Sequence, residues 1–319
     1  MNPVVDKTSG FCFNDKFLKF AHYQSCVIMK SLFISILCVS FFITSYAQKG
    51  KVIESLVFNS KIVSYPVKYS VYLPADYQSS QRSYPVVYLL HGYSDDETGW
   101  IQFGEVNEIA DKGIADGVFP SCIIIIPDGK VAWYCNNASG KDRWEDMFIT
   151  ELIPFVEKEY RIRTKKEFRA IAGLSMGGYG ALGLSMRNPD LFSSCVALSS
   201  GTFSDEEIMQ QPDKQYNMYF KNIFGENLTG EVRITEAWKA HSPLHLIKTV
   251  PIEKLKGIRF YIDCGDDDFL YKGNSLLHIG MRSLNIPHEY RVRNGAHEWS
   301  YWRTGLFDGL KFIGEKFHR

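Results

Sequence analysis

The segment Ala170-Ile171-Ala172-Gly173-Leu174-Ser175-Met176-Gly177-Gly178-Tyr179-Gly180 constrains this chain more than any other. A short apolar run enters a Gly-x-Ser-x-Gly sequence and leaves it into small and apolar residues at helical spacing, so the chain must pass from strand to helix in one sharp turn about Ser175. Glycines at 173 and 177 suit a turn in which a side chain would strike backbone. Such a turn pushes the serine hydroxyl out of the sheet. It also sets the hydroxyl beside the free amides and positive dipole end of the following helix, where an oxyanion is stabilised. Asn188-Pro189 ends that helix.

Around this junction apolar runs alternate with helical patterns, which predicts an α/β chain with a mostly parallel sheet covered by helices on both faces. Strands are expected at 67–73, as an early edge strand, and at 85–90, 121–126, 168–172, 194–198, 259–263 and 288–292. Helices are expected at 145–160, at 176–187 and within 301–317. The longer, more polar stretch 201–255 shows no strand pattern and is read as a cap over the site.

Charge is balanced, with 36 basic and 36 acidic residues and no basic stripe, so nucleic acid is not an expected partner. Near the amino end, Met29-Lys30 precedes an apolar stretch at 31–43 and then Thr44-Ser45-Tyr46-Ala47. A cationic start, an apolar run too short to span a bilayer comfortably and small residues before Gln48 predict a cleavable export signal at 29–47. Residues 1–28 are read as lying upstream of the true start. The expectation is a periplasmic or extracellular protein with no stable membrane anchor after cleavage, the rival being an uncleaved anchor. The remaining 319 − 47 = 272 residues, 48–319, suffice for one domain. That portion keeps Cys122, Cys135, Cys195 and Cys264. Cys122, Cys195 and Cys264 sit in or beside apolar runs and are read as core thiols, with Cys135 in a loop.

A serine hydroxyl is a poor nucleophile at neutral pH and needs a histidine to take its proton and a carboxylate to orient the imidazole. In the chain order Ser, acid, His, both partners occur at strand ends after Ser175. Asp263-Cys264-Gly265-Asp266-Asp267-Asp268-Phe269 ends one strand and Gly295-Ala296-His297-Glu298-Trp299 follows the next. The expected catalytic set is Ser175, Asp268 and His297. Asp268 is favoured because the apolar Phe269-Leu270 would pack its loop inward, with Asp267 in reserve. Oxyanion donors are expected at the amides of Met176 and of Tyr93, in the loop His91-Gly92-Tyr93, where His91 is read as a structural hydrogen-bond partner. Trp100, Trp299 and Trp302 flank the predicted site, Trp100 and Trp299 being the substrate candidates. No phosphate loop, dinucleotide fingerprint or metal-binding pattern occurs, and no cofactor is expected.

Taken together, LLHGYSDDETGW, IIIIPDG, AGLSMGGYGA, CGDDDFLY and GAHEWSYW resemble the esterase D and feruloyl esterase group of α/β hydrolases across nearly all of 48–319. The resemblance implies an α/β-hydrolase fold, nucleophile Ser175, acid Asp268, base His297, oxyanion donors at Met176 and Tyr93, and a substrate contact at Asn136, in a loop that borders the acyl pocket in related esterases. It implies a serine ester hydrolase acting on an acylated saccharide or small ester, and with the export signal an acetylxylan or feruloyl esterase type acting on plant polysaccharide. A siderophore trilactone esterase, an S-formylglutathione hydrolase-like thioesterase and a sugar-binding protein on a silent hydrolase scaffold stand as alternatives.

Overall fold

The computed structural model describes Met1 and residues 49–317, so the expected export signal and the segment before it lie outside the described residues. Eight strands form one sheet: β1 (Lys51–Asn59), β2 (Pro66–Leu73), β3 (Val86–Leu90), β4 (Ile123–Pro127), β5 (Arg169–Leu174), β6 (Ser194–Leu198), β7 (Arg259–Gly265) and β8 (His288–Arg293). Their order is β1-β2-β4-β3-β5-β6-β7-β8. β1 and β2 are antiparallel to their neighbours and β3 to β8 run parallel.

The inner parallel strands β3 to β6 are buried along their length and mostly apolar because both faces are covered, whereas the edge strand β8 is polar and partly exposed. Successive side chains alternate between two cores. Val86, Tyr88 and Leu90 join Ile123, Ile125 and Ile171 on one face, while Val87 and Leu89 join Ile124, Ile126 and Ala170 on the other. The second face carries helices α1 (Val106–Ala115) and, from the chain's end, Trp299–Phe317. Over the first lie α2 (Ile153–Glu159), α3 (Met176–Arg187) and a group of short helices, among them α4 (Asp205–Gln210), α5 (Asp213–Tyr219), α6 (Glu236–His241) and α7 (Pro243–Thr249). Then follow α8 (Tyr271–Ser283) and the closing helix, α9 (Trp299–Phe317). Leu306, Leu310 and Ile313 of α9 are almost fully buried, and each such side chain stabilises the docked helix by about 1.5–3 kcal/mol.

Every strand expected from sequence is present, but the strand at 66–73 is not the edge. β1 covers it, and its signal was weak because most of β1 is exposed and its register shifts between Ile53 and Leu56, with Ser55 at φ 52°. The helix expected over 145–160 is three pieces, Trp144–Met147, a wide turn at Phe148–Leu152, and α2. Residues 201–255 contain helices and turns, as expected of a cap. Cys122, Cys135, Cys195 and Cys264 are all buried free thiols. Cys135, expected in a loop, donates to the Trp133 carbonyl, and burial pushes its thiol up to about 12.

Candidate active site

The sequence turns from β5 into α3 at Ser175, whose φ of 53° and ψ of −118° are strained for a residue with a side chain. Backbone bonds hold it there: its N–H donates to the Leu198 carbonyl at 2.9 Å, and its carbonyl accepts from Tyr179 at 3.0 Å and Gly201 at 2.8 Å. The turn tolerates no side chain at 177. A Cβ there would lie 2.4 Å from the Leu90 carbonyl oxygen and 2.7 Å from that of His91. Ser175 is partly exposed while its neighbours Leu174 and Met176 are buried.

Three residues from different strand ends meet at this hydroxyl. His297, four residues past the end of β8, places Nε2 2.9 Å from Ser175 Oγ. On its other side His297 Nδ1 lies 2.9 Å from Oδ2 and 3.2 Å from Oδ1 of Asp268. Asp268 is buried, whereas Asp267, the reserve candidate, is exposed. The local chain explains the difference. Asp266 turns toward the neighbouring loop and accepts from Gly295 N–H at 2.9 Å, Asp267 N–H donates to the Gly295 carbonyl at 3.1 Å, and Asp268 Oδ1 accepts from Leu270 N–H at 2.8 Å. The β7 and β8 loops are thereby laced together, and Leu270, buried as expected, closes the turn over the carboxylate. Burial of Asp268 opposes its charge, but the hydrogen bonds and charge interaction with His297 and the hydrogen bond from Leu270 outweigh it and hold the carboxyl below its ordinary range. With an ionised acceptor at Nδ1, the imidazole keeps its proton on Nδ1 and presents Nε2 as a base to Ser175.

At the head of α3, Met176 N–H has no intrahelical partner. The β3 loop approaches the same point: a Cβ on Gly92 would lie 3.8 Å from Ser175 Cβ. Tyr93 follows, and its N–H makes no hydrogen bond among the described residues. His91 is buried, as a structural partner should be. Its Nε2 accepts from Gly129 N–H at 2.8 Å, and Nδ1 donates to the Gly92 carbonyl at 2.7 Å. These bonds set the loop that carries Tyr93.

The expected substrate contacts divide. Trp100 is fully buried, its Nε1 donates to the Leu90 carbonyl at 2.9 Å and its ring meets Trp299 edge-on at 5.2 Å. It is a core support beneath β3, and the reading of Trp100 as a substrate platform is corrected accordingly. Asn136 pairs with Arg143 across a turn and accepts from Asp146 N–H through Oδ1 at 3.1 Å, so it caps a helix and serves local structure. Trp299 is half-buried between Trp100, Trp302 and the exposed Phe103.

Other aromatic residues, not singled out from sequence, surround Ser175. Trp133, at φ 52°, packs on Tyr93, Tyr179, Phe203 and Phe220, and a Cβ on Gly201 would meet both its ring at 2.8 Å and the Ser175 carbonyl at 3.3 Å. Phe269, expected from sequence to pack the Asp268 loop inward with Leu270, is instead two-thirds exposed, its ring tilted against that of His297 at 4.6 Å. Two bonds fasten the cap to this wall: Tyr93 Oη donates to the Met218 carbonyl at 2.8 Å and Trp133 Nε1 to that of Tyr219 at 3.0 Å. Sequence alone offered no signal for Trp133, since no pattern links it to residues 86 positions away. Among the described residues no group of His, Cys, Asp and Glu is set to hold a metal ion.

Residues 60–313 match the family model described as "Putative esterase". An acetyl esterase of Caldicellulosiruptor saccharolyticus is 25% identical over 234 residues, which are 71% of this chain and 82% of that protein. An endo-1,4-beta-xylanase/feruloyl esterase of Xylanibacter ruminicola is 34% identical over 155 residues, 48% of this chain and 21% of that longer protein. A solved ferulic acid esterase superposes with a TM-score of 0.71 at 30% identity, covering 84% of this chain and 99% of its own.

Proposed function

Because the chain belongs to the Putative esterase family, a family of α/β-hydrolase-fold carboxylic-ester hydrolases, we propose that it deacylates esterified plant polysaccharide through Ser175, His297 and Asp268 by way of an acyl-enzyme. The observation that carries this reading is the unbroken line from Asp268 through His297 to a strained, partly exposed Ser175, with both hydrogen bonds at 2.9 Å.

Ser175 Oγ attacks the ester carbonyl carbon as its proton passes to His297 Nε2, and Asp268 stabilises the imidazolium. The amides of Met176 and Tyr93 receive the oxyanion, each such donor being worth about 10²–10³ in rate. The intermediate collapses with loss of the alcohol, which takes the proton from Nε2. Water then gives a proton to Nε2 and its oxygen to the acyl carbon, and Ser175 Oγ departs with that proton as the acid is released.

An acetyl or a feruloyl group is the proposed acyl substituent. Relatives described as acetyl esterase and feruloyl esterase support that choice, and the half-buried rings of Tyr93, Phe203 and Tyr219, backed by the buried Trp133, support an aromatic acyl group or a sugar ring against them. The pattern at 29–47 supports export, where such polymers are met.

Purified protein is expected to hydrolyse p-nitrophenyl acetate, and Ser175→Ala to lose at least about a thousandfold in kcat with the fold intact. Retained turnover in that variant overturns the assignment. Release of acetate against ferulate from arabinoxylan selects the acyl group, and release of neither, with S-formylglutathione or a ferric catecholate lactone cleaved instead, overturns the polysaccharide reading.

A further inference from the structure

We propose that Ser199 and Trp302 act as a pair of positioning residues that hold His297 in its reactive alignment between Asp268 and Ser175, an inference that rests on the nucleophile assignment above. Neither touches the reacting atoms. Ser199 is fully buried at the carboxyl end of β6, and its φ of 45° is a left-handed conformation that a residue with a side chain adopts only under constraint. The constraint is visible: Ser199 N–H donates to the Asp263 carbonyl at 2.6 Å, across the register that pairs Leu198 with Asp263.

Glycine would occupy this backbone without strain, so the hydroxyl is what the position retains. Its oxygen accepts from Trp302 Nε1 at 3.0 Å. Trp302 contributes twice, because its almost fully buried ring also meets the His297 ring edge-on, with centroids 4.8 Å apart and planes at 88°. One indole is therefore pinned by its N–H to the end of β6 and packs its ring on the base. Phe269 also packs on the imidazole, at 4.6 Å.

The test uses the rate of covalent labelling by a fluorophosphonate, which reports the reactivity of Ser175 whatever the natural ester, together with kcat and KM on p-nitrophenyl acetate and the thermal midpoint. Ser199→Gly removes the hydroxyl and relieves the backbone, so stability is expected to hold or rise while labelling and kcat fall about tenfold and KM stays within twofold, the scale typical of partners one shell removed from the chemistry. Trp302→Phe keeps most of the ring and loses the N–H, and is expected to lower the same rates. In the double variant the two losses are expected to be less than multiplicative, since both cut the same bond. Wild-type rates in Ser199→Gly, or rate losses that follow a fall in thermal midpoint, overturn the proposal. Wild-type protein that resists the fluorophosphonate refutes the nucleophile assignment itself, and the present inference falls with it.

Discussion

Replacing Asp268 by asparagine isolates the contribution of its charge, because the local bonds dictate how the new amide must sit. Leu270 N–H donates to Oδ1 at 2.8 Å and would keep the amide oxygen on that side, turning the NH₂ toward His297 Nδ1. Two donors cannot face one another, so the imidazole must move its proton to Nε2. There it donates to Ser175 instead of accepting from it. The variant also lacks the anion that stabilises the imidazolium. Unit charges 2.9 Å apart at an effective dielectric constant of about 20 attract by about 6 kcal/mol, and at 1.36 kcal/mol per tenfold this corresponds to roughly 10⁴ in rate. Turnover of p-nitrophenyl acetate at pH 7, measured with the thermal midpoint as a check on folding, is expected to fall by about that factor in Asp268→Asn. Asp267→Asn, at an exposed position, is expected to remain within twofold of wild type. A loss below tenfold at 268, or a larger loss at 267 than at 268, would refute the assignment of the acid and the reasoning about the tautomer.

Two further outcomes follow from buried geometry. Gly177→Ala forces a methyl to within 2.4 Å of the Leu90 carbonyl oxygen. It is expected to cost about 1–3 kcal/mol in stability and, by shifting the loop that carries the Tyr93 amide, ten- to a hundredfold in kcat, so a wild-type melt and kcat would contradict it. His241, which joins α6 to the buried Arg187–Glu145 pair, is held down to about 4, chiefly by burial and then by Arg187. Between that value and about 6.5 the unfolded chain binds the extra proton, so this histidine's contribution is complete above about pH 6.5 and is lost as the pH falls toward 4, by on the order of 3 kcal/mol. His241→Gln is expected to flatten the thermal midpoint over that interval, and an unchanged slope would count against the burial argument.

The sheet was legible because its inner parallel strands, β3 to β6, are buried on both faces and therefore appear as mostly apolar runs. β1 escaped notice for the opposite reason, since an exposed, bulged edge strand carries little alternation. The line Ser175–His297–Asp268 was legible because chain order and strand ends restrict where a base and an acid can stand. The choice of Asp268 over Asp267 needed only the apolar Phe269-Leu270 that follows it, and the buried Leu270 is what seals the turn. Contacts to substrate were not legible in this way. A tryptophan near a motif can face inward or outward, and Trp100 proved to support β3 while Trp133, with no motif to mark it, packs beside the elbow. Ser199 was hidden for a similar reason, since its significance lies in a backbone angle and a partner more than a hundred positions away.

The two bonds that fasten the cap, from Tyr93 and from Trp133, both end on main-chain oxygens, at Met218 and Tyr219. A carbonyl is offered by every amino acid, so the side chains of α5 other than the buried Tyr216 and the paired Asp213 can be exchanged without breaking these two bonds. Selection for a new acyl group can therefore rewrite that helix while the machinery beneath it stays as it is, which leaves substrate preference free to diverge faster than chemistry.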